Sequence, residues 1–208
     1  GIDMPDHVPM TEDLPQRPIN PYGESKLMFE KMLLWYQQIH KLEFVAFRYF
    51  NAAGASEKFG EHHRIESHLI PNILKVPLGQ AKQCEIYGTD YPTPDGTCIR
   101  DYIHVEDLAT AHLDALRYLR RGGESTVLNC GYGHGYSVRE VIDAVDRANG
   151  RPLVRREEPR RAGDPPILVA RADRIRRVLG WQPRHDDLGF IVETALRWER
   201  RLQQQPVD

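Results

Sequence analysis

Apolar positions along the chain alternate between helical and extended spacing. Met28, Met32, Trp35, Tyr36 and Ile39 recur one helical turn apart. Asn20-Pro21 ahead of them offers a capping side chain and a favourable first helical residue, so a helix is predicted from there to about His40. Phe44 to Phe50 is a short apolar run rich in aromatics and reads as a buried strand, with Asn51-Ala52-Ala53-Gly54 turning the chain at its end. The same reading predicts a helix from Ser67 to Lys75, a strand at Cys84 to Tyr87 and a tight Pro- and Asp-Gly-containing loop at Tyr91 to Gly96. Ile99 to His104 reads as extended, Val105 to Arg120 as an amphipathic helix and Thr126 to Cys130 as a strand. Ser137 with Glu140 forms a capping box that opens a helix to about Ala148, and helices are predicted at Asp173 to Leu179 and Leu188 to Gln204. Residues 1 to 21 read as loop. Strands alternating with helices imply an α/β protein.

Gly131, Gly133 and Gly135 follow a strand and precede a helix, as a phosphate-cradling glycine turn does. Their spacing is Gly-x-Gly-x-Gly, and the third slot of a Gly-x-Gly-x-x-Gly fingerprint falls on Tyr136, so they are expected to form a structural turn.

Composition adds limits. A chain of 208 residues with 40% hydrophobic and 28% charged content can bury a substantial core. A net charge of -2 gives no general attraction to nucleic acid or to an anionic membrane. Arg155, Arg156, Arg160 and Arg161 form a basic run interrupted by Glu157 and Glu158, which reads either as a solvated loop or as part of a compact anion site. Cys84, Cys98 and Cys130 are dispersed and odd in number, which argues against a disulfide framework and for a reducing cytoplasm. His62, His63, Glu66 and His68 follow a polar loop but lack a matching second ligand pair, so no metal site is expected there. No apolar run approaches membrane-spanning length, and no signal peptide is evident.

The candidate chemistry starts at Tyr22 and Lys26, the sole Tyr-to-Lys pair in the sequence at a four-residue spacing. Four residues place both on one face of a helix. An ammonium about 5 Å from a phenol is worth roughly 3 kcal/mol at an effective dielectric near 20. That corresponds to about two pKa units, enough to let a tyrosine act as a base near neutral pH.

Four sequence runs carry a family resemblance. They are Asn20-Pro21-Tyr22-Gly23-Glu24-Ser25-Lys26, Arg48-Tyr49-Phe50-Asn51-Ala52-Ala53-Gly54, Tyr87-Gly88-Thr89-Asp90-Tyr91-Pro92-Thr93-Pro94-Asp95-Gly96-Thr97 with its continuation Arg100-Asp101-Tyr102-Ile103-His104-Val105, and Arg161-Ala162-Gly163-Asp164-Pro165. In this order they resemble the C-terminal part of the UDP-glucose 4-epimerases, members of the extended short-chain dehydrogenase/reductase superfamily. The resemblance implies the C-terminal remnant of a Rossmann-type NAD-binding domain over residues 1–52. A smaller α/β UDP-sugar-binding domain would cover 53–208, with residues near 101–120 packing back on the first.

It further implies a retained NAD, a UDP-hexose substrate and a cytoplasmic, homodimeric full-length enzyme of galactose metabolism, with no nucleic-acid or membrane partner. Tyr22 would exchange the proton of the C4 hydroxyl, and Lys26 would tune Tyr22 and hold the nicotinamide ribose. Tyr49 matches a contact near the nicotinamide. Phe50, Asn51, His68 and Leu69 match residues lining the sugar pocket, although many relatives have Asn where His68 stands. Ile86 and Tyr87 would flank the uracil, Arg100 and Arg161 would hold the diphosphate with their planar guanidinium forks, and Asp164 would accept from ribose hydroxyls. Leu168 would border the C2 substituent of the sugar. The family's glycine fingerprint and its catalytic Ser or Thr are expected upstream of Gly1, so this chain alone is expected to be inactive. The alternatives are a related nucleotide-sugar dehydratase, decarboxylase or epimerase, or a non-catalytic nucleotide-sugar-binding fragment.

Overall fold

A computed structural model describes residues 8–204. The first helix, α1 (Pro21–His40), starts where expected: the Asn20 side chain accepts a hydrogen bond from Gly23 N–H at 2.8 Å. It ends at Lys41, which takes a left-handed conformation with φ 55°. β1 (Val45–Tyr49) and β2 (Asn51–Ala53) follow almost without interruption. Asn51 to Ala53 is therefore a strand, not the expected turn, and the turn begins at Gly54, whose φ is 77°. The chain changes sheets at Phe50, whose N–H donates to Cys130, while the next N–H, on Asn51, donates to Asp101.

After a long loop come α2 (Leu69–Leu74), β3 (Cys84–Tyr87), β4 (Ile99–Arg100), β5 (Tyr102–His104) and α3 (Val105–Arg120). Then follow β6 (Thr126–Cys130), β7 (Tyr136–Ser137), α4 (Val138–Asn149), β8 (Arg155–Glu158), β9 (Ile167–Leu168), α5 (Asp173–Leu179) and α6 (Leu188–Gln204). The second helix is shorter than expected, because the backbone at Ser67 and His68 stays extended to place His68 ahead of the first turn. The capping box of α4 is present, with Ser137 and Glu140 bonding reciprocally.

Among the described residues the strands form four small sheets: β1 with β6, β2 with β5, β3 with β8, and β4 between β7 and β9. Every pairing is parallel except β4 with β7. The β8 strand was not legible in the sequence, since four consecutive charged residues carry no apolar alternation. It holds its place on β3 because Arg155 pairs with Asp143 and Asp146 of α4, and Arg139 reaches Glu157. Arg155 and Arg156 thus belong to a strand with its own ion pairs, and the anion-site reading of that run narrows to Arg161.

Ile142, Val145, Ile175, Ile191 and Val192 are fully buried with Ile73, Leu74 and Leu128 in one continuous core. Full burial of such side chains contributes roughly 1.5–3 kcal/mol each. β1 is only half-buried, contrary to the buried strand expected from its apolar run, because among the described residues β6 is its one partner. All three cysteines are buried thiols.

Two buried carboxylates tie the layers together. Asp101 accepts from the N–H groups of Tyr132 (2.9 Å), Gly133 (3.0 Å) and Ala170 (3.2 Å). Burial pushes its pKa up, and those three donors oppose that push. The Gly131–Gly135 turn is wrapped around this side chain, and a Cβ at Gly131 would come within 2.6 Å of Asp101 Oδ2. The turn is therefore filled from within and serves the fold, as its spacing suggested. Asp107 similarly accepts from Tyr132 Oη and from the N–H groups of Arg184 and His185.

Candidate active site

The candidate residues separate into two places. The first is the N-terminal turn of α1. Lys26 Nζ stands over the Tyr22 ring, 5.1 Å from its centroid, and the Tyr22 ring is 70% exposed. Tyr49 at the end of β1 is 51% exposed, and its hydroxyl meets His112 Nε2 at 2.7 Å. Burial pushes the Tyr49 phenol up, with a smaller contribution from Cys130. Tyr22 and Lys26 thus meet as the four-residue spacing predicts, and both remain accessible.

The second place is a cleft of about 530 Å³ beneath β2, α2, β3 and α6. It gathers Asn51, His68, Leu69, Tyr87, Arg100, Arg161 and Asp164, residues from four separate sequence runs. The Arg161 guanidinium lies 3.8 Å from the centroid of the Tyr87 ring, a stacking contact that a planar cation makes well. Arg100 is largely buried; it donates to the Ile99 carbonyl at 2.9 Å and stands 3.6 Å from Asp164. Tyr87 Oη donates to Glu85, which also lines the cleft. The cleft therefore presents two cations beside an aromatic face, a combination suited to a diphosphate attached to a planar base.

Three expected residues lie outside this lining. Ile86 is fully buried, because alternation along β3 sends it into the core while Glu85 and Tyr87 face the cleft. Its side chain cannot flank a base, and only Tyr87 retains that expectation. Phe50 sits at the sheet change, and Leu168 pairs in register with Arg100 on β4, which does line the cleft. Sequence reading missed Glu85, Trp198 and Glu199, which line the cleft from β3 and α6. No short motif contains them; the alternation of β3 turns Glu85 to the cleft, and the packing of α6 against α2 brings in Trp198 and Glu199.

An NAD fits part of this arrangement. Tyr22 and Lys26 form an accessible phenol and ammonium pair of the kind that holds a nicotinamide ribose. The described residues offer no glycine turn for its pyrophosphate, since the one candidate is occupied by Asp101.

Residues 3–131 match the NAD dependent epimerase/dehydratase family, and the chain belongs to it. Among curated proteins it is similar to a UDP-glucose 4-epimerase of Azospirillum brasilense, 54% identical over 96% of this chain and 58% of that protein. Among solved structures it is similar to UDP-glucose-4-epimerase from Stenotrophomonas maltophila with bound NAD and formylated UDP-arabinopyranose. The TM-score there is 0.92 and the identity 39%, covering 96% of this chain and 60% of that one. It is also similar to UDP-glucose 4-epimerase from Bifidobacterium longum in complex with NAD+ and UDP, with a TM-score of 0.87 and 38% identity, covering 98% and 61%. The chain spans about three-fifths of the length of these relatives. Among the described residues, no helix is long and apolar enough to cross a membrane.

Proposed function

We propose that the protein carrying this chain interconverts UDP-glucose and UDP-galactose by NAD-dependent epimerisation at C4. The observation that carries this reading is the convergence of Asn51, Tyr87, Arg100, Arg161 and Asp164 on one cleft, supported by the accessible Tyr22 and Lys26 pair on α1. Arg100 and Arg161 bind the diphosphate and Tyr87 packs on the uracil. Asp164 accepts from the ribose, and Asn51 donates to the hexose. Tyr22 takes the C4 hydroxyl proton and later returns it, while the Lys26 ammonium stabilises the phenolate at that moment. NAD, when bound, accepts the C4 hydride and gives it back. Because the charged anchors grip the diphosphate, the hexose is the part left free to turn over between the two transfers.

The NAD side of this reading is residues 1–52 and the UDP-sugar side 53–208. Residues 1–7 and 205–208 of that division lie outside the described structure. With three dispersed thiols and no disulfide among them, a reducing cytoplasm suits the protein, and a homodimer of the full-length form is part of the proposal. The 208 residues alone are proposed to be inactive. Leu168 is proposed to border the C2 substituent through its register with Arg100. Leu168→Ser should then raise the rate on the N-acetylated sugars and Leu168→Tyr should abolish it, a shape effect of about 1–3 kcal/mol.

The test is turnover of UDP-galactose by the full-length protein. Tyr22→Phe removes the proton acceptor with little change in volume, so the rate should fall by roughly 10² to 10⁴ while UDP affinity is kept. Near-normal turnover in that variant would remove Tyr22 from the chemistry.

A further inference from the structure

Read along the sequence, the histidine-rich stretch after Gly60 lacked a complete ligand set. The fold supplies one, but with Glu61 where the sequence suggested His62. Glu61, His63, Glu66 and His68 each turn one ligand atom toward a common point, and these four atoms all lie within 4.8 Å of one another. His63 Nδ1 and His68 Nδ1 both approach the same Glu61 oxygen, each at 2.6 Å. Glu66 closes the group, with one oxygen 2.9 Å from His68 Nδ1 and the other 3.6 Å from His63 Nδ1. The two imidazole rings are 5.3 Å apart between centroids, so both nitrogens face the carboxylates from one side.

The segment is held from outside the cluster. Trp198 Nε1 donates to the Glu61 carbonyl at 2.8 Å, and the Glu66 side chain is nine-tenths buried. Two imidazole nitrogens and two carboxylates thus face one another as a mixed nitrogen and oxygen donor set, with Glu61 and His68 also lining the cleft.

A second group of the same ligand types shows what a non-site looks like. His104, Glu106 and His185 are also within 4.8 Å of one another. There, both ring nitrogens of His104 are used by the protein: Nδ1 accepts from Glu106 N–H and Nε2 meets Thr194 Oγ1 at 3.1 Å. That histidine is held by a backbone N–H and a buried hydroxyl, whereas the Nδ1 protons that His63 and His68 donate to Glu61 and Glu66 are ones that a metal ion displaces on binding.

We propose that Glu61, His63, Glu66 and His68 bind a divalent transition-metal ion of the zinc class at the rim of the cleft. Two imidazoles and two carboxylates are a complete tetrahedral donor set for such an ion. Zinc bonds of about 2.0–2.2 Å place ligand atoms roughly 3.3–3.6 Å apart, so the observed spacings need to adjust by only about 1 Å. Mixed nitrogen and oxygen donors favour zinc over magnesium or calcium, which take oxygen alone. Because His68 also lines the cleft, the ion would fix that wall in place.

The experiment is calorimetric titration of the chelator-treated full-length protein with zinc chloride, with metal content checked by mass spectrometry. One zinc per chain is expected, with no response to magnesium. His63→Ala and, separately, Glu66→Gln should each weaken zinc by about 100-fold or more, since losing even an outer-shell partner costs about 10–100-fold. His40→Ala, which removes an exposed histidine elsewhere, should leave the affinity unchanged. If either His63→Ala or Glu66→Gln fails to fold, the other carries the comparison. Absence of stoichiometric zinc, or unchanged affinity in the folded ligand variants, overturns the site. The readout is metal affinity alone, so it is independent of whether the protein epimerises sugars.

Discussion

Helix α1 and helix α6 are similar in length and both carry regularly spaced apolar residues, yet the fold treats them in opposite ways. On α6, Leu188, Ile191, Val192, Ala195 and Leu196 are buried against α4 and α2. On α1 only Gly23 is buried, while Phe29, Met32, Trp35 and Ile39 stay exposed. Few identified contacts hold α1 to the rest; the main one is the fork of Arg48 on both oxygens of Glu30, at 2.9 and 2.8 Å. That contact keeps the Glu30 carboxyl below its usual range, with burial acting against it. The comparison separates what a sequence pattern dictates from what a neighbour supplies. Helical spacing fixes that both segments coil, whereas burial depends on which surfaces are present to meet them. The region from β2 onward closes its own core, and α1 with β1 has one face without cover among the described residues.

The largest effect should come from a matched pair of tryptophans. Trp181 is buried and donates to the Asp107 carbonyl, so Trp181→Ala in the 208-residue chain should cost about 3–5 kcal/mol in denaturant unfolding. Trp35 is 62% exposed, and Trp35→Ala should change stability by no more than about 0.5 kcal/mol. Equal losses would mean that α1 is packed as tightly as the rest, and the comparison would fail.

Next is Asp101. Asparagine keeps the shape but cannot accept from all three N–H donors, so Asp101→Asn should leave at least one buried donor unpaired and cost about 1–3 kcal/mol. In the cleft, Arg100→Leu and Arg161→Leu should each weaken UDP by about 1.5–3 kcal/mol in the full-length protein, with a smaller loss for uridine. Equal losses for both ligands would assign these arginines to the fold.

The smallest effect is a pH slope. The His104 pKa lies below its ordinary value, so the unfolded chain takes up this proton near pH 6.5 while the folded chain does so only at lower pH. More protons bound in the unfolded state mean that stability falls as pH drops below about 6.5. His104→Gln should flatten this part of the melting-temperature profile relative to the parent, and an unchanged slope would assign it to other groups.

Most helices were legible in the sequence because their signals are local. Asn20-Pro21, the Ser137 and Glu140 box and the spacing of α6 all act within a few residues. The features missed depend on distant partners. β8 reads as a charged loop until β3 and α4 neutralise it, and Ile86 reads as a ligand contact until the pleat of β3 turns it inward. Of the candidate site, Asn51, Tyr87, Arg100, Arg161 and Asp164 reached the cleft and Phe50 did not, whereas Trp198 and Glu199 became visible only through the packing of α6. Glu61 joined the histidine cluster for the same reason, since the Trp198 bond positions its backbone.

The central proposal is that the cleft residues of this chain bind UDP without help, whereas Tyr22, Lys26 and Tyr49 by themselves do not hold NAD. Calorimetric titration of the 208-residue chain with UDP and, separately, with NAD tests this directly. The account predicts saturable heat with UDP, weakened by Arg161→Leu, and none with NAD. Tight NAD binding without a UDP response would contradict it.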